Sequence, residues 1–327
     1  MATQPNSPGR DQEFLPALYG RTDDTAKGQQ SFHKLLIGLE IALSLLGAAA
    51  VVASQIPQIT DVINNFIRIQ VWGGQPAALS IATAITLSAS ALALGARFIW
   101  KPGEKWRQSR YIGETDASLA WRYATKATDF DLGTGVVQFS TAEDWYSSKV
   151  EELVTQTANL DLPIGAAKSE ITDQMKVLRN AVLADQYQRY RTERAASQRD
   201  WYLLRAKEYR RKRNFWRVMT FLVYAAGITL LILHATSLRD TAPLGLLSAN
   251  YWPLVVAGVG GIASWVAARH YEDLLQSYSF TSVRLSLALD KMSDFDPSTG
   301  NSAQFARWVD EIESLMDAEH QQWHALA

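Results

Sequence analysis

The chain has 327 residues, a formal net charge of −1 and no cysteine. A near-neutral chain has little attraction for nucleic-acid phosphates, so we expect no direct nucleic-acid binding. The lack of cysteine excludes disulfides, thiolate metal sites and cysteine nucleophiles, and five histidines without metal-ligand spacing predict neither a metal site nor a cofactor.

Apolar residues are concentrated in four long blocks, which cover residues 35–53, 77–96, 218–238 and 242–268. Each block has roughly the 17–25 residues that a helix needs to cross about 30 Å of hydrocarbon. Within them only Glu40 carries a formal charge. The sequence therefore predicts an all-α integral membrane protein with two transmembrane hairpins.

The orientation of these spans follows from lysine and arginine near their ends. Basic residues that flank the spans outside the hairpin loops include Arg21, Lys27, Lys34, Arg97, Lys101, Lys105, Arg107, Arg110 and the cluster from Arg205 to Arg217. By contrast, each hairpin loop holds a single arginine, Arg68 or Arg239. We expect both loops to face outward, and both termini and the central region to face the cytoplasm of a bacterial inner membrane.

The first outer loop contains an amphipathic pattern. Its apolar positions at helical spacing are Ile59, Val62, Ile63, Phe66, Ile67 and Val71. This pattern predicts a helix that either lies in the outer membrane interface or packs over the end of the hairpin.

Long cytoplasmic helical extensions are predicted for both hairpins. The second span is expected to continue as a helix to about Asp129, and Ser140 with Glu143 resembles a capping box that opens another helix. Residues 169–213 contain neither proline nor glycine, which predicts one long helix leading into the third span. A last amphipathic helix is indicated by Phe305, Trp308, Val309, Ile312, Leu315, Met316 and Trp323.

A faint internal repeat has an offset of 165 residues, because Trp106 falls on Tyr271 and Asp129-Phe130 falls on Asp294-Phe295. This repeat indicates duplication of one hairpin unit. We expect a cytoplasmic segment at 1–34, a first hairpin domain at 35–165 and a second hairpin domain at 166–327.

Short motifs of aromatic and arginine residues lie beside the spans in both halves of the chain. In the first half they are Pro16-Ala17-Leu18-Tyr19, Trp106-Arg107-x-x-Arg110-x-x-x-Glu114, Trp121-Arg122-Tyr123 and Asp129-Phe130. In the second half they are Ile171-Thr172-x-x-Met175-x-x-x-Arg179 and Tyr190-Arg191-x-x-Arg194-x-x-x-Gln198-x-x-Trp201-Tyr202-x-x-x-Ala206-Lys207. These motifs resemble those of the SLATT family of two-helix membrane effectors. The second hairpin departs from the first, with Ser286-Leu287-Ala288 in place of Trp121-Arg122-Tyr123.

The resemblance implies an effector of a bacterial conflict system, placed in the inner membrane. Such an effector would form a pore or disrupt the membrane when a nucleotide-producing or nucleotide-sensing partner signals infection. The expected partners are the bilayer, further copies of the chain, and a nucleotide second messenger or an operon-encoded sensor protein.

Two polar features of the first hairpin have alternative interpretations. Glu40 lies near the cytoplasmic edge of its span, where it either pairs with Arg97 or lines a pore. Thr83, Thr86 and Ser90 share one helix face and either line an aqueous path or allow close helix packing.

A second candidate set follows the second span and contains Trp106, Arg110, Glu114, Trp121 and Arg122. Guanidinium groups bind phosphate and indoles stack on bases, so this set is a candidate site for a nucleotide or a partner. The alternative is intramolecular, because Arg110 and Glu114 are four residues apart on a helix and can pair with each other. The basic cluster at 205–217 is interpreted as a topology signal and a contact for anionic lipid.

Three functions are compatible with these patterns. The first is a membrane effector that opens a pore or disrupts the bilayer, and the second is a membrane-anchored scaffold or sensor that recruits a soluble effector. A transporter subunit is disfavoured because no span is interrupted at an obvious substrate site. No enzyme motif is found, so we expect no enzymatic activity.

Overall fold

The computed structural model describes residues 13–67, 78–127, 141–160, 162, 169–236, 250–298 and 300–325. The described residues form α-helices and one π-helical segment, and none of them lies in a β-strand. The elements are α1 (Ala17–Ala53), α2 (Pro57–Ile67), α3 (Ala78–Trp100), α4 (Pro102–Ala124), α5 (Ala142–Thr155), α6 (Asp173–Asn180), α7 (Leu183–Arg189), π1 (Tyr190–Ala196), α8 (Ser197–Ala235), α9 (Trp252–Arg269), α10 (Tyr271–Ser293) and α11 (Ser302–Ala325).

The chain divides into two compact units. The span unit contains Phe32–Lys101 and Tyr209–Glu272, and the polar unit contains Met1–Ser31, Pro102–Glu208 and Asp273–Ala327. Within the described part of the chain, four helical stretches are long and apolar enough to cross a membrane, which confirms the predicted all-α, four-span protein. Parts of the predicted spans, at 77, 237–238 and 242–249, lie outside the described residues.

The helix of the second span ends earlier than predicted. It stops at Trp100, and Lys101 adopts a left-handed conformation with φ of 46° before α4 begins at Pro102. Steric conflict with a proline ring disfavours the α conformation for the residue before it, which explains the break. The expectation of one helix to about Asp129 is therefore wrong, and Asp129 itself lies outside the described residues.

The second hairpin ends in the same way as the first. After α9, His270 adopts a φ of 47°, and a 23-residue helix follows, as it does after Lys101. A left-handed residue leading into a helix of the same length in both halves is consistent with duplication of one unit. The two bends are 169 residues apart, one helical turn more than the offset of the sequence repeat.

The predicted continuous helix over 169–213 is also wrong, because α6 and α7 are separated by extended backbone at Ala181 and Val182. Gln186 Nε2 stabilises this break by donating to the carbonyl oxygens of Leu178, at 3.1 Å, and Arg179, at 2.9 Å. A side chain thus satisfies acceptors that the end of α6 leaves open. Neither proline nor glycine is needed for such a break.

Two other predicted helices differ in detail. The N-cap of α5 is Thr141, whose hydroxyl accepts from the Asp144 N–H at 3.0 Å, whereas Ser140 lies outside the described residues. In α2, Ile59 packs against a small cluster of Val52 and Ile56, while the side chains of Phe66 and Ile67, and all of Val71, lie outside the described residues.

The last helix, α11, has the predicted amphipathic character. Its buried apolar residues include Phe305, Val309, Ile312 and Met316, and the helix packs along α4 within the polar unit. The side chain of Trp323 lies outside the described residues. Helix α4 carries the second candidate set (Trp106, Arg110, Glu114, Trp121 and Arg122), so the packing of α11 against α4 forms part of the surroundings of that set.

Candidate functional site

The intramembrane carboxylate of Glu40 is paired. Arg97 Nη1 lies 3.0 Å from Glu40 Oε2, and both side chains are mostly buried within the span unit. Next to this pair, Ser90 Oγ lies 2.9 Å from Ser44 Oγ and donates to the Glu40 carbonyl at 3.1 Å. These contacts join α1 to α3, so Glu40 and Arg97 hold the first hairpin together.

Thr83 and Thr86, the other members of the polar stripe, bond to their own helix. Their hydroxyls donate to the carbonyls of Leu79 and Ala82, both at 2.9 Å. A Cβ at Gly47 would lie only 3.0 Å from Thr86 Oγ1, so α1 and α3 approach closely at this level. Thr86 and Ser90 thus lie between α1 and α3 of one chain, and a role of Thr83, Thr86 and Ser90 in lining a pore stays a prediction.

Glycines bring the remaining span helices together. A Cβ at Gly227 would approach Val255 Cγ1 to 2.7 Å, and one at Gly261 would approach Ile41 Cγ2 to 2.9 Å. A Cβ at Gly260 would meet no atom within 4 Å. Gly227 therefore allows close contact of α8 with α9, and Gly261 allows close contact of α9 with α1.

The second candidate set lies in the polar unit and makes intramolecular contacts. Trp121 is 4% exposed, with its ring centroid 4.3 Å from that of Phe14 and 5.8 Å from that of Tyr190. Arg122 Nη2 donates to Asp317 Oδ2 and Ser314 Oγ, both at 3.1 Å, and so ties α4 to α11.

Arg110 has a similar intramolecular environment. Its Nη2 lies 3.8 Å from Glu114 Oε1, and its guanidinium carbon lies 5.4 Å from the centroid of the Trp201 ring. Trp106, the fifth member of the set, is half-buried. The set is therefore not one cluster around an open space, and a ligand would have to displace existing partners.

A buried ion pair connects π1 to α11. Arg194 donates from Nε and Nη2 to the two oxygens of Glu313, at 3.1 and 2.8 Å, and the Tyr190 hydroxyl donates to Glu313 Oε1 at 3.0 Å. The side chains of Arg194 and Glu313 are 3% and 0% exposed. Such a bidentate pair imposes one geometry on both elements.

Glu319, one and a half turns further along α11, lies in a second polar cluster. Tyr202 and Ser277 donate to its two oxygens at 3.2 and 3.3 Å, and His320 Nε2 lies 3.4 Å from Oε2. Burial raises the pKa of Glu319 to about 7, against the opposing effect of nearby Arg110. Burial likewise raises the pKa of Asp317 to about 6, and Arg122 opposes that shift.

A shallow cavity adjoins Glu319 and is lined by Arg110, Tyr111, Tyr278, Glu319 and His320. It contains about 250 Å³ of space, part of which is open solvent. Because this space includes open solvent, the enclosed part is far below the roughly 300–1,000 Å³ of usual small-molecule sites. In this conformation the cavity is too small for a nucleotide.

The first turn of α1 is held by carboxylates from elsewhere in the polar unit. The Leu18 N–H donates to Glu170 Oε2 and the Tyr19 N–H donates to Asp116 Oδ2, both at 2.9 Å. Acidic groups near the positive end of a helix are stabilising, and α1 has none in its own first turn. Burial, and then the nearby Glu170, raise the pKa of Asp116 well above its ordinary range, so Asp116 acts here as a hydrogen-bond acceptor rather than as a full charge. We call this arrangement the clasp, made by Asp116 and Glu170 on the start of α1.

The sequence interpretation missed Glu313, Glu319, Asp116 and Glu170. One signal was present for Glu313, because it follows Val309 by four residues and precedes Met316 by three, and so falls on the apolar face of α11. A charged residue in that position requires a buried partner. For Glu170, which lies in an irregular connector, no comparable pattern exists.

Comparison with protein-family models gives a match over each half of the chain. The model for SMODS and SLOG-associating 2TM effector domain 3 matches residues 16–187, and the model for SMODS and SLOG-associating 2TM effector domain 1 matches residues 190–323. Searches of curated proteins and of solved structures returned no match. The second match begins at Tyr190, the first residue of π1. The chain therefore belongs to the SLATT family, with two 2TM effector domains in tandem.

Proposed function

We propose that this protein is a membrane effector of a bacterial defence system that permeabilises the inner membrane when a nucleotide signal or a partner protein triggers it. Two tandem domains of a family described as 2TM effectors support the proposal, together with four apolar spans. The basic residues near the span ends support an orientation with both termini in the cytoplasm.

The observation that carries the proposal is a difference between the two helices of each hairpin. The first span of each hairpin continues, without a break, a helix that begins in the polar unit: α1 starts at the clasp, and α8 follows directly from π1. The second span of each hairpin instead ends at a left-handed residue, Lys101 or His270. A helix transmits displacement along its axis, whereas a bend can absorb it.

This difference supports a mechanism for the trigger. A signal that rearranges the polar unit acts on α1 through the clasp and on α8 through the Arg194–Glu313 pair. It then displaces the first span of each hairpin relative to the second. Because Arg110, Trp121 and Arg122 are engaged, the signal must exchange their existing contacts for its own.

The decisive experiment measures membrane potential in cells that express the chain with and without its neighbouring genes and a phage challenge. Glu170→Ala removes one carboxylate of the clasp, and we expect it to lower the threshold for depolarisation. The matched control is Glu152→Ala, at an exposed residue whose partner among the described residues is Lys149 of the same helix. Equal thresholds for the two variants would contradict the role of the clasp.

A membrane-anchored scaffold is the second candidate. It is supported by the Glu40–Arg97 pair, which neutralises a charge that a conducting path could otherwise use. For a scaffold, the trigger recruits a soluble protein to the membrane while the potential stays intact. Measuring the membrane potential and the recruitment of soluble protein to the membrane in one culture separates the two functions.

A further inference from the structure

The acidic residues of α11 differ in the groups that neutralise them. For Glu319, the ionic contact among the described residues is His320, whose Nε2 lies 3.4 Å from Oε2. An imidazole carries a charge only when it is protonated, so Glu319 has no permanently charged partner at this distance. The other four acidic residues of the helix each lie within 4.0 Å of an arginine or lysine nitrogen, in the pairs Asp310–Arg122, Glu311–Lys291, Glu313–Arg194 and Asp317–Arg122.

Glu319 lies where α11 meets three other helices of the polar unit. Tyr202 of α8 donates to Oε2 at 3.2 Å, and Ser277 of α10 donates to Oε1 at 3.3 Å. The side chains of Glu319 and His320 are 5% and 10% exposed, and the shallow cavity beside them includes open solvent. The other titratable groups that face Glu319 in the described part of the polar unit are Arg110 and Glu114 of α4 and Tyr278 of α10.

The charges in this cluster balance most simply when Glu319 is neutral. Arg110 and Glu114 compensate each other, with Arg110 Nη2 at 3.8 Å from Glu114 Oε1. An ionised Glu319 adds a buried negative charge, and His320 neutralises it only by becoming a buried charge itself. Ionised groups away from water are costly, and they usually become neutral by gaining or losing a proton. The arrangement therefore favours a protonated Glu319 beside a neutral His320.

We propose that Glu319 is a proton-binding site that couples cytoplasmic pH to the packing of α11 against α4, α8 and α10. The proton is taken up from water, and released to it, through the adjoining cavity. Its loss leaves a carboxylate in the buried cluster, beside Glu114, and weakens the packing of the helices around it. Burial raises the pKa of Glu319 to about 7, so the proton is lost near neutral pH.

This proton site adds a regulatory input to the proposed effector, and its effect on leakage rests on that proposed function. A rise in cytoplasmic pH removes the proton and loosens the polar unit, so less trigger is needed for depolarisation. A fall in pH restores the proton and raises the threshold. The resting state of the polar unit is therefore the state that holds the proton.

The bound proton is measured directly by infrared spectroscopy, which detects protonated carboxyl groups. Full-length wild type, Glu319→Gln and the control Glu311→Gln, at an exposed residue of the same helix, are titrated in detergent from pH 5 to pH 9. A group with a pKa of about 7 is about nine-tenths protonated at pH 6 and about one-tenth protonated at pH 8. We expect wild type and E311Q to lose a carboxyl signal with a midpoint near pH 7, and E319Q to lack that loss.

Asp317 provides an internal reference for this titration. Burial raises its pKa to about 6, so its carboxyl gives a separate step that E319Q should retain. A step near pH 7 that persists in E319Q would overturn the proposal. So would a wild type that has no such step, because the proton would then not lie on a carboxyl group.

Tyr202→Phe gives a second test that keeps Glu319 in place. The Tyr202 hydroxyl donates to Glu319 Oε2 at 3.2 Å and so favours the ionised carboxylate. We expect Y202F to move the midpoint of the carboxyl step to higher pH. An unchanged midpoint in a folded Y202F protein would overturn the assignment of the step to Glu319.

The coupling to helix packing is measured by amide hydrogen exchange in α11, corrected for the intrinsic effect of pH on exchange. We expect exchange in wild type and E311Q to rise several-fold from pH 6 to pH 8, and exchange in E319Q to stay level. A rise of the same size in E319Q would overturn the coupling of the proton to the packing of α11.

The two proposals can fail separately in cells whose cytoplasmic pH is raised with a permeant weak base while the membrane potential is followed. We expect a lower threshold for depolarisation at the higher pH in wild type and E311Q, and no change in E319Q. The carboxyl step and the change in exchange without any triggered depolarisation would retain the proton site and refute the pore. Depolarisation of wild type at the same threshold at both pH values would retain the effector and overturn the regulatory role of the proton.

Discussion

The most informative stability perturbation is the loss of Glu313. Its carboxylate accepts two bonds from Arg194 and one from Tyr190, and both charged side chains are almost completely buried. Glu313→Ala leaves a buried guanidinium without its counter-charge, which costs about 3–5 kcal/mol. The unsatisfied Tyr190 hydroxyl adds about 1 kcal/mol or more. The free energy of unfolding of native proteins is only about 5–15 kcal/mol, so the polar unit should lose a large part of its stability.

The assay is denaturant unfolding of the full chain in detergent, followed by tryptophan fluorescence and by protease sensitivity. The matched control is Glu311→Ala, two residues away, whose carboxylate is 48% exposed and lies 3.4 Å from Lys291. An exposed pair of this kind contributes about 1 kcal/mol or less. Similar denaturant midpoints of unfolding for E313A and E311A would refute the claim that the Arg194–Glu313 pair is a major contributor to the stability of the polar unit.

A double variant separates loss of the pair from loss of packing. Arg194→Met with Glu313→Leu replaces both charges by apolar groups of comparable volume. Such replacements are often neutral or stabilising, because no buried charge is left alone. We expect the double variant to recover most of the stability that E313A loses, and no recovery would contradict the electrostatic explanation.

Three further predictions concern other parts of the molecule. Because burial raises the pKa of Glu319 from its ordinary value of 4.5 to about 7, its contribution to stability is greatest below pH 4.5 and is lost as the pH rises to 7. Glu319→Gln should flatten this dependence by about 2–3 kcal/mol between pH 5 and pH 8, which denaturant unfolding at the two pH values can show. The groups that face Glu319 are Arg110, Glu114, Tyr202, Ser277, Tyr278 and His320. Gly261→Ala should destabilise the spans by about 1–3 kcal/mol because its Cβ would press on Ile41, whereas Gly260→Ala should not, as thermal unfolding in detergent can show. Glu40→Arg should impair assembly of the first hairpin, and adding Arg97→Glu should restore it, which the yield of folded protein after size-exclusion chromatography measures; a double variant as poor as Glu40→Arg would exclude the ion pair as the reason.

The spans were predictable because their signal is local. An uninterrupted apolar block of suitable length has few structural interpretations other than a membrane-spanning helix. The Glu40–Arg97 pair was predictable because the two residues lie at similar depth on antiparallel helices. The bend at Lys101 was predictable from Pro102, because a proline disfavours the α conformation of the residue before it.

The polar unit was less predictable because its partners are far apart in the sequence. Arg194 and Glu313 are 119 residues apart, and the Tyr19 N–H is 97 residues from Asp116. Helical periodicity identifies a buried face but not the residue that packs against it. For the same reason, the sequence could not identify Phe14, Tyr190 and Asp317 as the residues that contact Trp121 and Arg122. A ligand role for Trp121 and Arg122 stays a prediction.

The central claim is that a triggered polar unit permeabilises the membrane. The most direct measurement is the membrane potential, followed with a voltage-sensitive dye in cells that express the wild-type chain at constant level, before and after the trigger. We expect depolarisation only when the trigger is present. Intact potential, with the chain inserted and the trigger active, would contradict the account and leave the scaffold as the function.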